Sequence, residues 1–318
     1  MEAGQRARLL VSNAANVPAV GRPCPVCGSR EAHPLLAKGE LRLVRCRQCS
    51  AIYADPVPPQ FASGQYYDEA GAAYYLSPAK LQSDYAPVRF QRELELFRRH
   101  CLRGAVLDVG CCSGGFLFQL QRRFPGCYEV LGSDVSGAPL DHAEAQGIAV
   151  LRGNFLELDL AGRRFDAVTF WAVLEHLLEP AAFLDRTWSI LRPGGLCFAL
   201  VPNAQSLAMR LLGARYRYLY PQHLTYFTKT TLAKLVQKRF VCVEARTTHF
   251  NPVVLWQDWR SGGREVSNEE RGRLLQRTTA YKQTPWLKPA KALYGITERL
   301  LGAMGLADNL ALVLRRRD

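Results

Sequence analysis

The sequence contains no apolar run approaching the roughly 18 residues that a membrane-spanning helix needs. A weak apolar stretch near the start, Leu9-Leu10-Val11, is cut short by Ser12, Asn13 and Asn16. That is a poor core for an export signal, so a cytoplasmic protein with a loose N-terminal tail is expected. Internal repeats and low-complexity tracts are also missing, and so is a long basic tail. The net charge of +13 is spread along the chain, with modest clusters at Arg122-Arg123, Arg163-Arg164 and Arg315-Arg316-Arg317. Such a charge suits nucleic acid, an anionic membrane surface or an anionic small substrate, and by itself it selects none of them. Ten cysteines are present, but without the spacing of a disulfide framework.

What is present is a globular composition, 48% hydrophobic over 318 residues. At roughly 100–200 residues per domain, this allows one large domain and a small one. Residues 1–22 read as a tail and residues 23–59, rich in cysteine, proline and glycine, as a compact module. Residues 60–103 form a connector and helical lid, tyrosine-rich at Tyr66, Tyr67, Tyr74 and Tyr75. A helix is expected over residues 84–101, with Phe90, Leu94, Phe97 and Cys101 on one face. Residues 104–318 form the large domain, with a helical insertion at about residues 251–305.

In the large domain, short apolar strands alternate with helices. Strands are expected at residues 105–109, 128–133, 148–152, 165–171, 196–201, 240–247 and 309–314. Helices are expected at residues 115–124, 138–146, 180–191 and 228–239, the last with Thr228 and Thr230 as N-cap candidates. This rhythm implies an α/β fold, a doubly wound sheet with helices on both faces.

Two elements point to a nucleoside pocket. Val106-Leu107-Asp108-Val109-Gly110-Cys111-Cys112-Ser113-Gly114-Gly115 follows a strand and opens a helix, the edge where ligands bind in such sheets. Asp134 ends the next strand, about 20 residues on, where an acidic side chain accepts hydrogen bonds from ribose hydroxyls. Together they do not distinguish a dinucleotide from S-adenosylmethionine.

Near the N-terminus, Cys24-Pro25-Val26-Cys27 and Cys46-Arg47-Gln48-Cys49 are separated by 18 residues, within the spacing of four-cysteine zinc modules. Four thiolates on two tight turns make a closed, structural Zn²⁺ site. A redox pair would come once, inside a βαβ unit.

The run "VLDVGCCSGGFL" resembles the first motif of class I S-adenosylmethionine-dependent methyltransferases, and "VLGSDVS" resembles the second. "FDAVTFWAVLEHLLEPAAFLDRTWSILRPGGLCFALVPN" resembles their fourth strand, the following helix and the fifth strand. The resemblance covers about residues 84–240 and the last strand. It implies a seven-stranded Rossmann-like sheet, here preceded by a zinc ribbon. It further implies that Asp108, Gly110, Cys112 and Gly114 surround the methionine part of the cofactor and that Asp134 holds the ribose. By the same resemblance Val135 lies beside adenine, Asn154 and Phe155 lie near its amino group and face, and Trp171 closes the pocket. The family usually has glycine where this chain has Cys112, and often aspartate where it has Asn154.

Methyl transfer from a sulfonium requires alignment of a nucleophile and removal of its proton. The stretch Tyr220-Pro221-Gln222-His223-Leu224-Thr225-Tyr226-Phe227 resembles the substrate loop of small-molecule methyltransferases. It offers His223 as general base and Tyr226 as its helper. Glu175-His176 recurs at the pocket rim in this family, which makes His176 a third candidate. The acceptor expected is a small molecule such as a sugar, a nucleotide-sugar or another natural-product intermediate, anionic in the nucleotide-sugar case. An RNA acceptor contacted by the ribbon is the alternative, although Phe170-Trp171-Ala172-Val173 lacks the (Asp/Asn)-Pro-Pro-(Tyr/Phe) motif of base-amine methylation. A non-catalytic cofactor-binding protein is a third reading, suggested by Cys112 alone. Oligomeric state is not legible.

Overall fold

Two sheets organise the chain, and they are joined by the segment carrying His223. The computed structural model describes residues 21–62, 66–67, 72–262, 267–283 and 288–318, so all but the end of the expected tail lies outside the described residues.

The large sheet is built from β4 (Gly104–Val109), β5 (Tyr128–Asp134), β6 (Val150–Arg152), β7 (Phe165–Trp171), β8 (Leu191–Pro202), β10 (Phe240–Thr248) and β11 (Asn309–Arg316). Its order is β10-β11-β8-β7-β4-β5-β6. Only β11 runs against its neighbours. The chain winds outward from β4 in one direction and then from β7 in the other, so the strand order reverses between β4 and β7. In such sheets that reversal opens a crevice at the carboxyl edge.

Alternation along each strand serves two cores. Leu107, Val109, Val168 and Phe170 face helices α7 (Pro180–Ile190) and α9 (Lys229–Val236). Val106, Ala167 and Phe198 face α4 (Gln91–His100), α5 (Gly115–Arg123) and α6 (Gly137–Ala145). This is the double-sided burial expected of a parallel sheet. Thr228 caps α9 reciprocally with Thr231 in a capping box.

Two expected elements differ. The single helix over residues 84–101 is broken into α3 (Pro78–Asp84) and α4. Pro87 lies in the gap and cannot donate a helical hydrogen bond, and Phe90 is left-handed at φ 57°. The apolar face survives the break: Leu94, Phe97 and Cys101 are buried and Phe90 packs beside them. β8 begins at Leu191, earlier than expected. Leu191 pairs with Phe165 and Leu196 with Ala167, so Pro193-Gly194-Gly195 bulges out of the ladder.

The second sheet, of order β1-β2-β3-β9, comprises β1 (Ala32–Lys38), β2 (Leu41–Cys46), β3 (Ile52–Ala54) and β9 (Thr225–Tyr226). The N-terminal module therefore takes its fourth strand from the large domain, with Ile52 opposite Tyr226 and Tyr53 opposite Thr225. Leu41, Leu43, Ile52, Val57 and Phe61 share a core with Leu219, Leu224 and Tyr226. Arg22 stitches the seam. It donates to the carbonyls of Ala54 (3.2 Å), Leu178 (3.1 Å) and Leu224, and to the hydroxyl of Thr225 (3.2 Å).

Replacing Arg22 with alanine strands these part-buried acceptors. Arg22→Ala is expected to lower stability by about 1–3 kcal/mol in chemical denaturation and to speed amide exchange at residues 224–226. Unaltered exchange there would show that the guanidinium does not hold the seam.

Candidate active site

The loop after β4 turns through three left-handed residues: Gly110 (φ 73°), Cys112 (φ 53°) and Gly114 (φ 76°). Glycine is required at Gly110, because a Cβ there would sit 2.6 Å from Cγ2 of Val173. Cys112 pays the steric cost of a side chain in this region. The Ser133 carbonyl accepts the Gly110 and Cys111 amides at 2.7 and 3.0 Å. Asp134 fixes the rest: its carboxylate accepts the Cys112 amide at 2.8 Å and the Ser136 amide at 3.0 Å. Beneath the loop, the Thr169 hydroxyl donates to Asp108 at 2.5 Å. Burial pushes the Asp108 carboxyl up to about 7, against that hydrogen bond.

Asp108, Gly110, Cys112, Gly114, Asp134 and Val135 are thus gathered at one sheet edge, with Val135 exposed beside Asp134. Asn154 caps a turn just past β6, accepting the Leu156 amide at 3.1 Å and donating to Glu157 at 3.1 Å. The Phe155 ring lies in the core, 5.5 Å from Phe183 and 6.2 Å from Phe170. The Trp171 ring packs at 5.0 Å on Phe116, and its buried indole N–H has no partner among the described residues.

A tyrosine crosses this edge. The Ser136 hydroxyl donates to the Tyr67 carbonyl at 2.9 Å, while the Tyr67 hydroxyl lies 2.8 Å from Nδ1 of His176. Tyr85 donates to the Ser113 carbonyl. The connector therefore touches both the Asp134 loop and the rim beyond β7.

At that rim, a left-handed Ala172 (φ 60°) turns the chain into a short 3₁₀ segment, Leu174–His176. Glu175 is buried there, and neither carboxylate oxygen has a hydrogen-bond partner among the described residues. Burial pushes its carboxyl up to about 8. One donor atom each of Glu175, His176 and His223 lies within 4.8 Å of the other two. Nδ1 of His176 lies 3.0 Å from the Gln222 carbonyl. The same nitrogen therefore faces both the Tyr67 hydroxyl and the Gln222 carbonyl. Burial lowers His176 to about 4, with the Arg271 charge adding to the effect. Burial also lowers His223, reinforced by His176 and Arg271. Both imidazoles are therefore neutral at physiological pH. The His223 ring sits 4.7 Å from His176, 5.3 Å from Tyr220 and 6.1 Å from Tyr226, and its Nδ1 has no partner among the described residues. The Tyr226 hydroxyl donates to the Tyr220 carbonyl at 3.1 Å, which holds the loop closed on itself.

Sequence reasoning singled out His176, His223 and Tyr226, named Glu175 only as the partner of His176 at the pocket rim, and gave no site role to Thr169 or Tyr67.

The four N-terminal cysteines converge. The Cys24 and Cys49 sulfurs lie 3.4 Å apart, Cys27 and Cys46 3.6 Å apart, and all four within 4.8 Å of one another. Tetrahedral Zn–S bonds of about 2.3 Å place sulfurs roughly 3.7 Å apart, so this donor set fits the ion.

Residues 82–239 match the family model described as "Methyltransferase domain". The ubiquinone biosynthesis O-methyltransferase of Cereibacter sphaeroides (strain KD131 / KCTC 12085) is 34% identical over 176 residues, covering 51% of this chain and 69% of that one. The enzyme of the same name from Roseobacter denitrificans is 28% identical over 223 residues, covering 64% and 88%. Among solved structures, the [4+2]-cyclase SpnF superposes with a TM-score of 0.50 at 15% identity, over 82% of this chain and 97% of that one. That last likeness concerns the fold alone. Sheet order, glycine loop and strand-end aspartate define an S-adenosylmethionine-dependent methyltransferase. The chain belongs to the class I methyltransferase family. No helix of the described residues is long and apolar enough to cross a membrane.

The Glu175 carboxyl carries a pH signature. Its acidity is displaced from 4.5 to about 8, so the fold favours the protonated form. The resulting stability is fully present below pH 4.5 and is lost as pH rises through about 8. Glu175→Gln is expected to remove this slope, gaining on the native protein by about 1–4 kcal/mol between pH 5 and pH 9 in denaturant titrations. Parallel pH profiles for the two proteins would show that Glu175 is not held neutral.

Proposed function

We propose that this enzyme transfers a methyl group from S-adenosylmethionine to the hydroxyl oxygen of a small phenolic molecule. The observation that carries the reading is the buried Glu175–His176–His223 cluster beside the cofactor loop, ringed by Tyr67, Tyr220 and Tyr226. Aromatic walls suit a flat ring through edge and offset stacking. Buried imidazoles suit proton removal from its hydroxyl. A macromolecule would have difficulty reaching groups this deep, which favours a small acceptor. The names of the curated relatives, O-methyltransferases, agree with oxygen as the acceptor atom.

In this reading Asp134 takes the ribose hydroxyls and Val135 flanks the adenine. Gly110, Cys112 and Gly114 let the backbone approach the methionine portion, above Asp108. Asn154 presents a polar side chain toward the adenine edge, Phe155 supports that loop from the core, and Trp171 backs the pocket floor. Bound S-adenosylmethionine supplies an electrophilic methyl, so the chain must only align the acceptor and accept one proton. His223, neutral with an unshared Nδ1, takes the hydroxyl proton. Contacts of His176 Nδ1 with the Tyr67 hydroxyl and the Gln222 carbonyl fix its ring. Tyr226 positions His223 through the Tyr220 carbonyl. In the ribbon, Cys24, Cys27, Cys46 and Cys49 hold one structural Zn²⁺, which stiffens the sheet that carries Thr225 and Tyr226.

With isotopically labelled S-adenosylmethionine and simple catechols, the label should appear as an aryl methyl ether. His223→Ala should lower turnover about 100-fold, a typical contribution of one general base, with cofactor affinity held. Methyl groups found only on nitrogen or carbon, or full turnover in the variant, would overturn the assignment. Elemental analysis of protein purified without chelator should find about one zinc per chain; a metal-free preparation that is folded and active would remove the metal from this description.

A further inference from the structure

A cation whose charge acts on both histidines, Arg271, comes from outside the family match, which ends at residue 239. Helix α11 (Asn268–Gln283) lies in the helical excursion before β11 and packs on α3. Contact is close: a Cβ on Gly272 would stand 3.5 Å from Cβ of Ala79. The Gln276 amide donates to Gln82 at 2.8 Å and the Thr279 hydroxyl to Ser83 at 3.3 Å. This packing sets the adjacent Arg271 into the tyrosine lid. Its guanidinium carbon stands 4.5 Å from the ring centroid of Tyr74 and 4.5 Å from that of Tyr220. Tyr220 in turn meets His223 edge-on at 5.3 Å. Both rings lie within cation–π distance of the guanidinium, which has N–H groups beyond those contacts for polar partners. One of these, Nη1, donates to Asn268 at 3.1 Å. No carboxylate among the described residues pairs with Arg271, although half-buried cations usually find one.

We propose that Arg271 is the specificity-determining residue for a carboxylate carried by the acceptor. The guanidinium, set against Tyr74 and Tyr220, has remaining N–H groups that can bind a carboxylate through two hydrogen bonds. The acceptor is then a phenolic acid, with its hydroxyl toward His223 and its carboxylate toward α11. Helix α11 thus supplies what the shared methyltransferase core does not. This inference rests on the phenol reading of the same site.

The test compares 3,4-dihydroxybenzoate with its uncharged near-isostere 3,4-dihydroxybenzamide. Binding is measured by calorimetry to the full chain saturated with S-adenosylhomocysteine, and methyl transfer is assayed separately. The native protein should bind the acid about 10-fold or more tightly than the amide, as a charge-assisted bidentate contact allows. Arg271→Gln should bring the two within about 2-fold of each other, and Arg271→Lys should keep part of the preference, since a lysine retains charge without the planar fork. Affinity for S-adenosylhomocysteine should be the same in all three proteins, which establishes that the variants are folded. Equal binding of acid and amide by the native protein, binding of neither, or a preference that persists in Arg271→Gln would overturn the assignment. An Arg271-dependent preference with no methyl transferred to the acid would support the carboxylate site and refute phenol methylation.

Discussion

Leu224 holds the two halves of the molecule together through its backbone. Its amide donates to the Glu175 carbonyl at 2.7 Å, and its carbonyl accepts the Ala54 amide at 2.9 Å. The first bond ties the loop that carries His223 to the 3₁₀ segment after β7. The second ties the same loop to the cysteine-bearing sheet. His223 precedes this residue, and β9 follows it. The histidine that faces Glu175 and His176 is therefore held by two sheets at once. An active site of this kind gains precision from rigid elements on both sides. Cys46 ends β2, in the same sheet as Tyr226, and the other three thiols gather beside it from the flanking turns.

Burial shapes the electrostatics of this region in one direction. Asp108 and Glu175 are pushed up, and His176 and His223 are pushed down. Each shift favours the neutral form, as removal from water requires. A neutral imidazole is the useful state for taking a proton. The charge retained nearby is that of Arg271, whose field also helps to keep the two histidines uncharged. Asp134 differs in its contacts, since its oxygens accept the backbone amides of Cys112 and Ser136.

Much of this was legible in the sequence, for local reasons. Seven strands, the glycine loop and the aspartate after β5 follow from periodicity and spacing, and all fall within a few residues of their expected places. The four cysteines were legible because two short turns dictate the geometry of their thiols. What escaped depends on long-range contact. A two-residue strand such as β9 has no periodicity, and its partner β3 lies about 170 residues earlier in the chain. The break at Pro87 was overlooked because the four residues that define the apolar face, Phe90, Leu94, Phe97 and Cys101, all lie beyond it. The Phe155 ring turns into the core, which a motif position alone does not reveal. Arg271 carries no motif, and the burial of Glu175 exists only after the connector, the loop and α11 have assembled.

The central claim is that S-adenosylmethionine binds on the loop after β4, with Asp134 at its side. Residue-resolved hydrogen exchange with and without S-adenosylhomocysteine tests it most directly. Exchange should slow at the amides of residues 110–114 and 133–136, while strands β1 and β2 of the N-terminal sheet remain unaffected. Saturating ligand that leaves those amides unchanged, or that protects the ribbon in their place, would contradict the assignment.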